Sequence, residues 1–168
     1  MIVGRSTDYR TRNWLLTKKD YADYVLRFDF KVEEGHGGVA IRAIEGEKLM
    51  NGNTIDHPVI KLRNPAADAK EPLGTTHWVK SAELWVQPLE IFSLPLDTWR
   101  TMEVIVRGDN CTATIDGKQI VNVTLDPDAK NKGVVPGLQR VKGKVGFQVN
   151  TGTVRYRNIE IKELPSGK

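Results

Sequence analysis

The chain has 168 residues, of which 39% are hydrophobic and 27% are charged, and its formal net charge is +4. This length suits one domain with a substantial core, and the composition excludes a disordered chain and a membrane-spanning one. Lysine and arginine are scattered among acidic residues without a run of five or more, so nucleic acid is not an expected partner.

The cysteine content and the N-terminus bear on the compartment. Cys111 is the one cysteine in the sequence, which excludes an intrachain disulfide and a cysteine metal cluster. Because Cys111 lies in a strand pattern, we interpret it as a buried, inert thiol. Residues 1–8 contain no apolar region of the kind that a signal peptide needs.

The predicted elements are short strands, and the best defined lies in residues 24–43. Residues 13–17 form a first strand candidate that is rich in large apolar side chains. In residues 24–32, Leu26, Phe28 and Phe30 alternate with charged residues, which predicts a strand with one buried face. Glycines at 35, 37 and 38 then interrupt the pattern, and the apolar alternation resumes at Val39. Either a hairpin or a crossover to a facing sheet fits this interruption.

Further strands follow at regular intervals. They are expected in residues 58–63, 102–107, 111–115, 121–125, 144–150 and 153–161, with broken alternation in residues 75–87. Asp116-Gly117 predicts a tight hairpin turn, because both central residues of such a turn favour positive φ. Long polar loops separate these strands, and no stretch of ten residues has helical apolar spacing.

The sequence therefore predicts an all-β fold, a two-sheet antiparallel β-sandwich or jelly roll. We expect one domain over residues 1–164, followed by a short tail at 165–168. The predicted core consists of Leu26, Phe28, Phe30, Val39, Ile41, Val104, Val106, Phe147 and Ile161.

Several segments resemble the 3-keto-disaccharide hydrolase domain family. The segment Val154-Arg-Tyr-Arg-Asn-Ile-Glu-Ile-Lys-Glu-Leu164 is similar to the family's closing pattern V-x-F-R-N-I-x-I-K-e-L and is the most specific match. The other matching segments are Thr17–Val32, Gly35–Arg42, Pro88–Asp116 and Lys144–Gln148. The resemblance implies a concanavalin A-like sandwich that handles carbohydrate, an exported protein and, in some members, cleavage of glycosides oxidised at C3.

The chain departs from the family pattern at several positions. His36-Gly37 replaces Asn-Ser, Val149-Asn150 stands where many members have a histidine after the glutamine, and the family's acidic position is not recognisable near Asp56. The family's leading strand has no recognisable counterpart. An unpaired sheet edge would then favour self-association or a companion domain.

Candidate ligand-binding residues are polar side chains whose strand neighbours are apolar. Arg42 alternates with Ile41, and Gln148 and Asn150 alternate with Phe147 and Val149, so all three are expected on an outer sheet face. Guanidinium and amide groups offer directed hydrogen bonds to sugar hydroxyls. Trp78 and Trp85 are candidates for stacking on sugar rings. The alternatives are a solvated sheet face for the polar residues and core packing for the tryptophans.

Candidate catalytic residues are Asp56, His57 and His77, which combine titratable groups with loops long enough to form the wall of a site. A histidine with a pKa of about 6.5 can accept the proton next to a C3 ketone. An arginine or a metal would hold the resulting enolate, so a divalent cation is the cofactor left open. The alternative is that these residues are structural. We expect at least three of Arg42, His57, His77, Gln148 and Asn150 around one concave pocket.

Two functions follow from the sequence. One is a carbohydrate-active hydrolase that acts on 3-keto-glycosides or disaccharides, and the other is a non-catalytic carbohydrate-binding or interaction module of a larger protein. In both, the expected partner is an oligosaccharide or glycoside.

Overall fold

The computed structural model describes residues 1–7, 13–44, 57–63, 73–77, 86–90, 95–125 and 140–165. Within these residues it contains nine β-strands and no helix. The strands are β1 (Ile2–Ser6), β2 (Asn13–Leu16), β3 (Tyr24–Ala43), β4 (Val59–Arg63), β5 (Thr76–His77), β6 (Arg100–Arg107), β7 (Asn110–Ile115), β8 (Lys118–Thr124) and β9 (Lys144–Glu163).

The two longest strands, β3 and β9, organise the fold. Each has 20 residues, and they pair antiparallel along their length. The first half of β3 pairs with the second half of β9. β6, β7 and β8 extend this pair on the β3 side, and β1 extends it on the β9 side; together these strands form sheet I. The second half of β3 pairs with the first half of β9. β4 and β5 extend this pair on the β3 side, and β2 extends it on the β9 side; together these strands form sheet II.

Sheet I passes into sheet II at a corner formed by two glycines. Gly35 in β3 pairs directly with Gly152 in β9, and their φ angles are 70° and 74°. A Cβ on Gly35 would lie 2.1 Å from the carbonyl oxygen of Thr151, and one on Gly152 would lie 2.1 Å from that of Glu34. Register shifts occur next to this pair in β3 and β9. Such irregularities bend strands, so β3 and β9 turn together at this corner.

Contacts across the interior show that sheet II folds back over sheet I. Phe147 and Tyr156 lie on the same strand and would be about 30 Å apart if β9 were straight. Their ring centroids are instead 4.5 Å apart, and Phe147 also lies 5.0 Å from Phe28 of the other sheet. The molecule is therefore a two-sheet antiparallel β-sandwich of the concanavalin A-like, jelly-roll type, with its core between the sheets.

The predicted core is confirmed at every position except Ile161, which is half-buried and packs against the core. The alternation of apolar residues in β3, β6 and β9 was a reliable guide because the two sheets face each other, so each strand buries one side. The predicted turn is also confirmed, since Asp116 and Gly117 have φ angles of 50° and 82° between β7 and β8.

The interruption at Gly35–Gly38 is the crossover to a facing sheet and not a hairpin, because β3 continues through it. The same is true of the break at Thr151-Gly152 in β9. The first strand was not predicted: β1 pairs with residues of β9 from Gly152 to Tyr156, although its own sequence is short and only partly apolar.

We expect Gly152→Ala to lower the free energy of unfolding by at least about 3 kcal/mol, because the new Cβ adds a backbone clash to the cost of a positive φ. Gly117→Ala is the matched control. Gly117 also has a positive φ, but a Cβ there would meet nothing within 4 Å, so its cost should be about 1–2 kcal/mol. Urea unfolding of both variants measures the difference. Equal losses would contradict the role of the corner.

Candidate functional site

A row of side chains crosses the outer face of sheet II, on the side away from the core. Trp14 in β2 pairs with Gln148 in β9, Gln148 pairs with Gly38 in β3, and Gly38 pairs with Lys61 in β4. Because directly paired residues share a sheet face, these four positions form one continuous row, which we call the polar row. The glycine leaves the middle of the row without a side chain, between the amide of Gln148 and the ammonium-bearing chain of Lys61.

The two polar side chains of the polar row are buried. Gln148 is 1% exposed and Lys61 is 4% exposed, although both lie on the outer face of their sheet. Neither the Nε2 nor the Oε1 atom of Gln148 has a hydrogen-bond partner among the described residues. Buried polar side chains almost always have partners, and an unpartnered one costs about 1–3 kcal/mol. Gln148 is therefore not part of a solvated face.

Trp14 and His57 meet on the same outer face. Their ring centroids are 4.8 Å apart with an interplanar angle of 75°, and His57 is 4% exposed. His57 directly precedes Pro58, whose carbonyl oxygen accepts a hydrogen bond from the Ile41 amide of β3. This bond ties the start of the β4 segment to the sheet and so fixes the imidazole beside the indole.

A bulge in β9 brings Asn150 to the same face. Val149 pairs with Gly37 and Thr151 pairs with His36, which leaves Asn150 as the extra residue. Both Asn150 and Thr151 contact the His36 imidazole: Asn150 Nδ2 lies 2.7 Å from Nε2, and Thr151 Oγ1 lies 3.2 Å from Nδ1. Bulges re-aim side chains in this way. Asn150 Oδ1 has no hydrogen-bond partner among the described residues and adds an acceptor near Gln148.

The environment of His36 keeps its imidazole neutral. Burial, followed by the positive charges of Lys61 and Arg63, lowers the pKa of His36 to about 4. When the Asn150 amide donates to Nε2, the single proton of the neutral ring lies on Nδ1, which donates to Thr151 Oγ1. Lys61 and Arg63 thus give this part of the face a positive field.

Arg42 does not lie on this face. Its side chain is 3% exposed and its guanidinium donates to three backbone carbonyls: Nη1 to Arg140 at 3.0 Å, and Nη2 to Gly108 at 2.6 Å and Ala22 at 3.4 Å. Asp23 lies 3.8 Å from Nη2. Arg42 therefore joins three separate chain segments at one end of the sandwich.

The expectation that Arg42 faces away from the core is wrong. The β3–β9 register shifts between Ala40 and Ala43, and Arg42 has a φ of 52°. A residue in this conformation does not continue the alternation of a regular strand. The assumption of regular strand alternation after Ile41 therefore placed the Arg42 side chain on the wrong face of the sheet.

The remaining predicted site residues are placed as follows. His57, Gln148 and Asn150 share the outer face of sheet II. The backbone of His77 pairs with Val59 at the edge of the same sheet. Asp56, Trp78 and Trp85 lie outside the described residues. The interpretation of Cys111 is confirmed: it is buried, and burial raises the pKa of its thiol to about 12.

The sequence pattern did not predict three members of this site, Trp14, His36 and Lys61. Trp14 lies in a segment that read as a plain apolar strand, and His36 lies in a glycine-rich stretch that read as a turn. A polar residue within the apolar run of residues 58–63 was the signal for Lys61. The rest depended on the strand register, which places the four strands side by side.

The described residues contain neither a metal-binding cluster nor a membrane-spanning helix. No group of three or more His, Cys, Asp or Glu side chains among them is arranged to hold a metal ion. None of them forms a helix of the length and apolarity that crossing a bilayer requires.

The sandwich fold is shared with carbohydrate-related proteins, and the comparison of the sequence with protein families gives the particular group. The chain belongs to the 3-keto-alpha-glucoside-1,2-lyase-like domain family, whose model matches residues 1–162. This match confirms the resemblance found in the sequence. No curated protein matches the chain.

Solved structures with a similar fold include three proteins with carbohydrate-related descriptions. A candidate glycosyl hydrolase from Parabacteroides distasonis has a TM-score of 0.70 and 19% identity over 97% of this chain and 80% of its own. The carbohydrate binding module CBM66 from Bacillus subtilis has a TM-score of 0.65 and 13% identity over 96% and 86%. Alginate lyase AlyC3 in complex with dimannuronate has a TM-score of 0.55 and 13% identity over 95% and 73%. At these identities the likeness establishes the fold.

The lowered pKa of His36 makes the stability of the fold depend on pH. Above pH 6.5 the imidazole is neutral in both the folded and the unfolded chain, so the stability is fully present. As the pH falls from 6.5 towards 4, the unfolded chain binds a proton that the folded chain does not. The free energy of unfolding should therefore fall over this window by roughly 2 kcal/mol, after allowance for solvent screening.

The difference in free energy of unfolding between the wild type and His36→Gln isolates this effect, because all other groups titrate in both proteins. We expect the free energy of unfolding of the wild type, measured with urea and taken relative to His36→Gln, to decrease as the pH falls from 7 to 4. A difference that stays constant over this range would contradict a depressed pKa for His36.

Proposed function

We propose that the outer face of sheet II binds a saccharide. The observation that carries this proposal is the Gln148 amide, which is 1% exposed and has no hydrogen-bond partner for either polar atom among the described residues. A sugar offers adjacent oxygens that accept and donate, which match the Nε2 donor and the Oε1 acceptor of one amide. The ligand would therefore satisfy groups that the described part of the protein leaves unsatisfied.

The neighbours of Gln148 fit the same ligand. Asn150 Oδ1 supplies a second acceptor, and the Trp14 indole supplies an apolar surface beside His57. Binding sites for small polar ligands combine such convergent hydrogen-bonding groups with aromatic surface on a rigid scaffold. The similar folds of a carbohydrate binding module and of a lyase in complex with dimannuronate support this assignment of the ligand class.

The family description supports one reaction class as the proposed activity, an elimination across C1 and C2 of a 3-keto-α-glucoside. His57 takes the proton from C2, and the electron pair of that C–H bond moves into an enolate with its charge on the C3 oxygen. Gln148 Nε2 donates to this oxygen, and the charge of Lys61 in β4 favours its negative form.

The second half of the elimination restores the ketone. The enolate pair forms the C1=C2 double bond as the C3 carbonyl reforms, and the bond from C1 to the leaving oxygen breaks. The departing alkoxide takes the proton from the His57 imidazolium, so the protein returns to its starting state. The products are the alcohol and a 2-hydroxy enone derived from the sugar ring, and no oxidant or reductant is consumed.

Gln148→Leu tests the binding site. We expect the affinity for methyl 3-keto-α-glucoside to fall by roughly tenfold or more, because two hydrogen bonds are lost. The fold should be unchanged or slightly more stable, since leucine fills a similar volume without a buried unpartnered amide. Calorimetric titration measures the affinity, and urea unfolding measures the stability.

Gln119→Leu is the matched control, because Gln119 lies in β8 of sheet I and its Nε2 donates to the Val121 carbonyl at 3.4 Å. It should leave the affinity unchanged. If Gln148→Leu destabilises the protein and keeps the wild-type affinity, the amide is structural and the proposed site is wrong.

The reaction is tested with methyl 3-keto-α-glucoside and methyl α-glucoside as a pair. We expect the wild type to release methanol and form an enone from the keto sugar alone, because only the ketone makes the C2 proton acidic. His57→Gln should lower the rate by roughly 10²–10⁴-fold while the keto sugar still binds. Binding of the keto sugar by the wild type without release of methanol would instead identify a non-catalytic binding module.

A further inference from the structure

Tyr156 connects the core to the candidate site. Its phenol is 1% exposed and lies in sheet I, and its hydroxyl donates to the backbone carbonyl of Gln148 in sheet II at 2.9 Å. Burial raises the pKa of Tyr156, so the phenol keeps its proton and acts as a donor. The bond therefore crosses the interior and ends on the peptide group that follows the ligand-facing Gln148 side chain.

The carbonyl that receives this bond lies next to the bulge of β9, whose extra residue is Asn150. A Cβ on Gly37, the β3 residue opposite, would lie 2.3 Å from the Gln148 carbonyl oxygen and 2.9 Å from the Tyr156 hydroxyl. The glycine thus leaves the space in which the phenol and the carbonyl meet. Asn150, the extra residue of the bulge, follows two positions later.

We propose that Tyr156 is a positioning residue for the saccharide site, holding the Gln148–Val149 peptide in the orientation that directs the Gln148 and Asn150 amides to one ligand. This inference rests on the proposed function of that face. The physical reason is that a bulge disrupts the strand ladder locally, so a peptide plane next to it is less constrained than one within a regular strand. A fixed hydrogen bond to its carbonyl selects one orientation, and both amides depend on it.

Tyr156→Phe removes the hydroxyl and keeps the ring packed against Phe147 and Phe28. We expect it to fold and to bind methyl 3-keto-α-glucoside roughly 3- to 10-fold more weakly than the wild type, the range for one lost hydrogen bond. Tyr24→Phe is the matched control. Tyr24 is also fully buried, but its hydroxyl has no hydrogen-bond partner among the described residues, so this change should leave the affinity unaltered.

A double variant separates positioning from general stability. If Tyr156 acts through Gln148, the Tyr156→Phe/Gln148→Leu protein should bind no more weakly than Gln148→Leu alone. Losses that multiply, or an unchanged affinity in Tyr156→Phe, would overturn the inference while the proposed saccharide site stands.

The side-chain amide NMR signals of Gln148 and Asn150 give a readout that needs no ligand. We expect both to shift in Tyr156→Phe and to stay in place in Tyr24→Phe. If the wild type binds neither sugar, the proposed function fails, and these signals alone decide whether Tyr156 positions the amides. Unchanged signals in Tyr156→Phe would overturn the inference in that case as well.

Discussion

The pairing of Gly35 with Gly152 is the constraint on which the structure depends. Two strands of 20 residues cannot form both sheets of a sandwich unless they bend at the same place, because they stay hydrogen-bonded to each other through the corner. A side chain at either position would meet the carbonyl oxygen of the opposite strand at 2.1 Å. The absence of two Cβ atoms is therefore what allows one continuous ladder to enclose a core.

The bend also has a consequence for the site. As β9 folds over, Tyr156 in the second half of the strand comes to lie beneath Gln148 in the first half. One strand therefore supplies both the buried amide on the outer face and the hydroxyl beneath it. The bulge beside the corner adds Asn150 to the same face, where it contacts His36. The corner that builds the core thus also arranges polar groups on the outside of sheet II.

Gln148 and Lys61 of the polar row differ from the side chains of an ordinary outer sheet face because they are buried. Elsewhere the outer faces carry charged side chains that pair with one another, as Arg157 pairs with Asp29 at 3.2 Å on sheet I. In contrast, the Gln148 amide is buried without a partner among the described residues, and such a group is retained at a cost in stability. Proteins accept such costs at binding sites, where the ligand completes the hydrogen bonds.

The amino-acid sequence by itself determined the fold class and the core, because period-2 alternation in residues 24–32, 102–107 and 144–149 has one physical solution, a sheet with one buried face. It also determined the turn at Asp116-Gly117, where local conformational preference decides the outcome. The family resemblance implied the fold type, and the alternation of Gln148 with Phe147 and Val149 placed it on the outer face. These features depend on a residue and its near neighbours in the chain.

Only the tertiary structure decided which residues share the site. Trp14, His36, Lys61 and Gln148 are far apart in sequence, and the register of four strands places them on one face. The side of Arg42 was likewise decided by a register shift that no local pattern reveals, since one irregular residue reverses the faces that follow it. Alternation predicts faces only while the ladder is regular, and in this protein the ladder is irregular at the corner and at the ends of the two long strands.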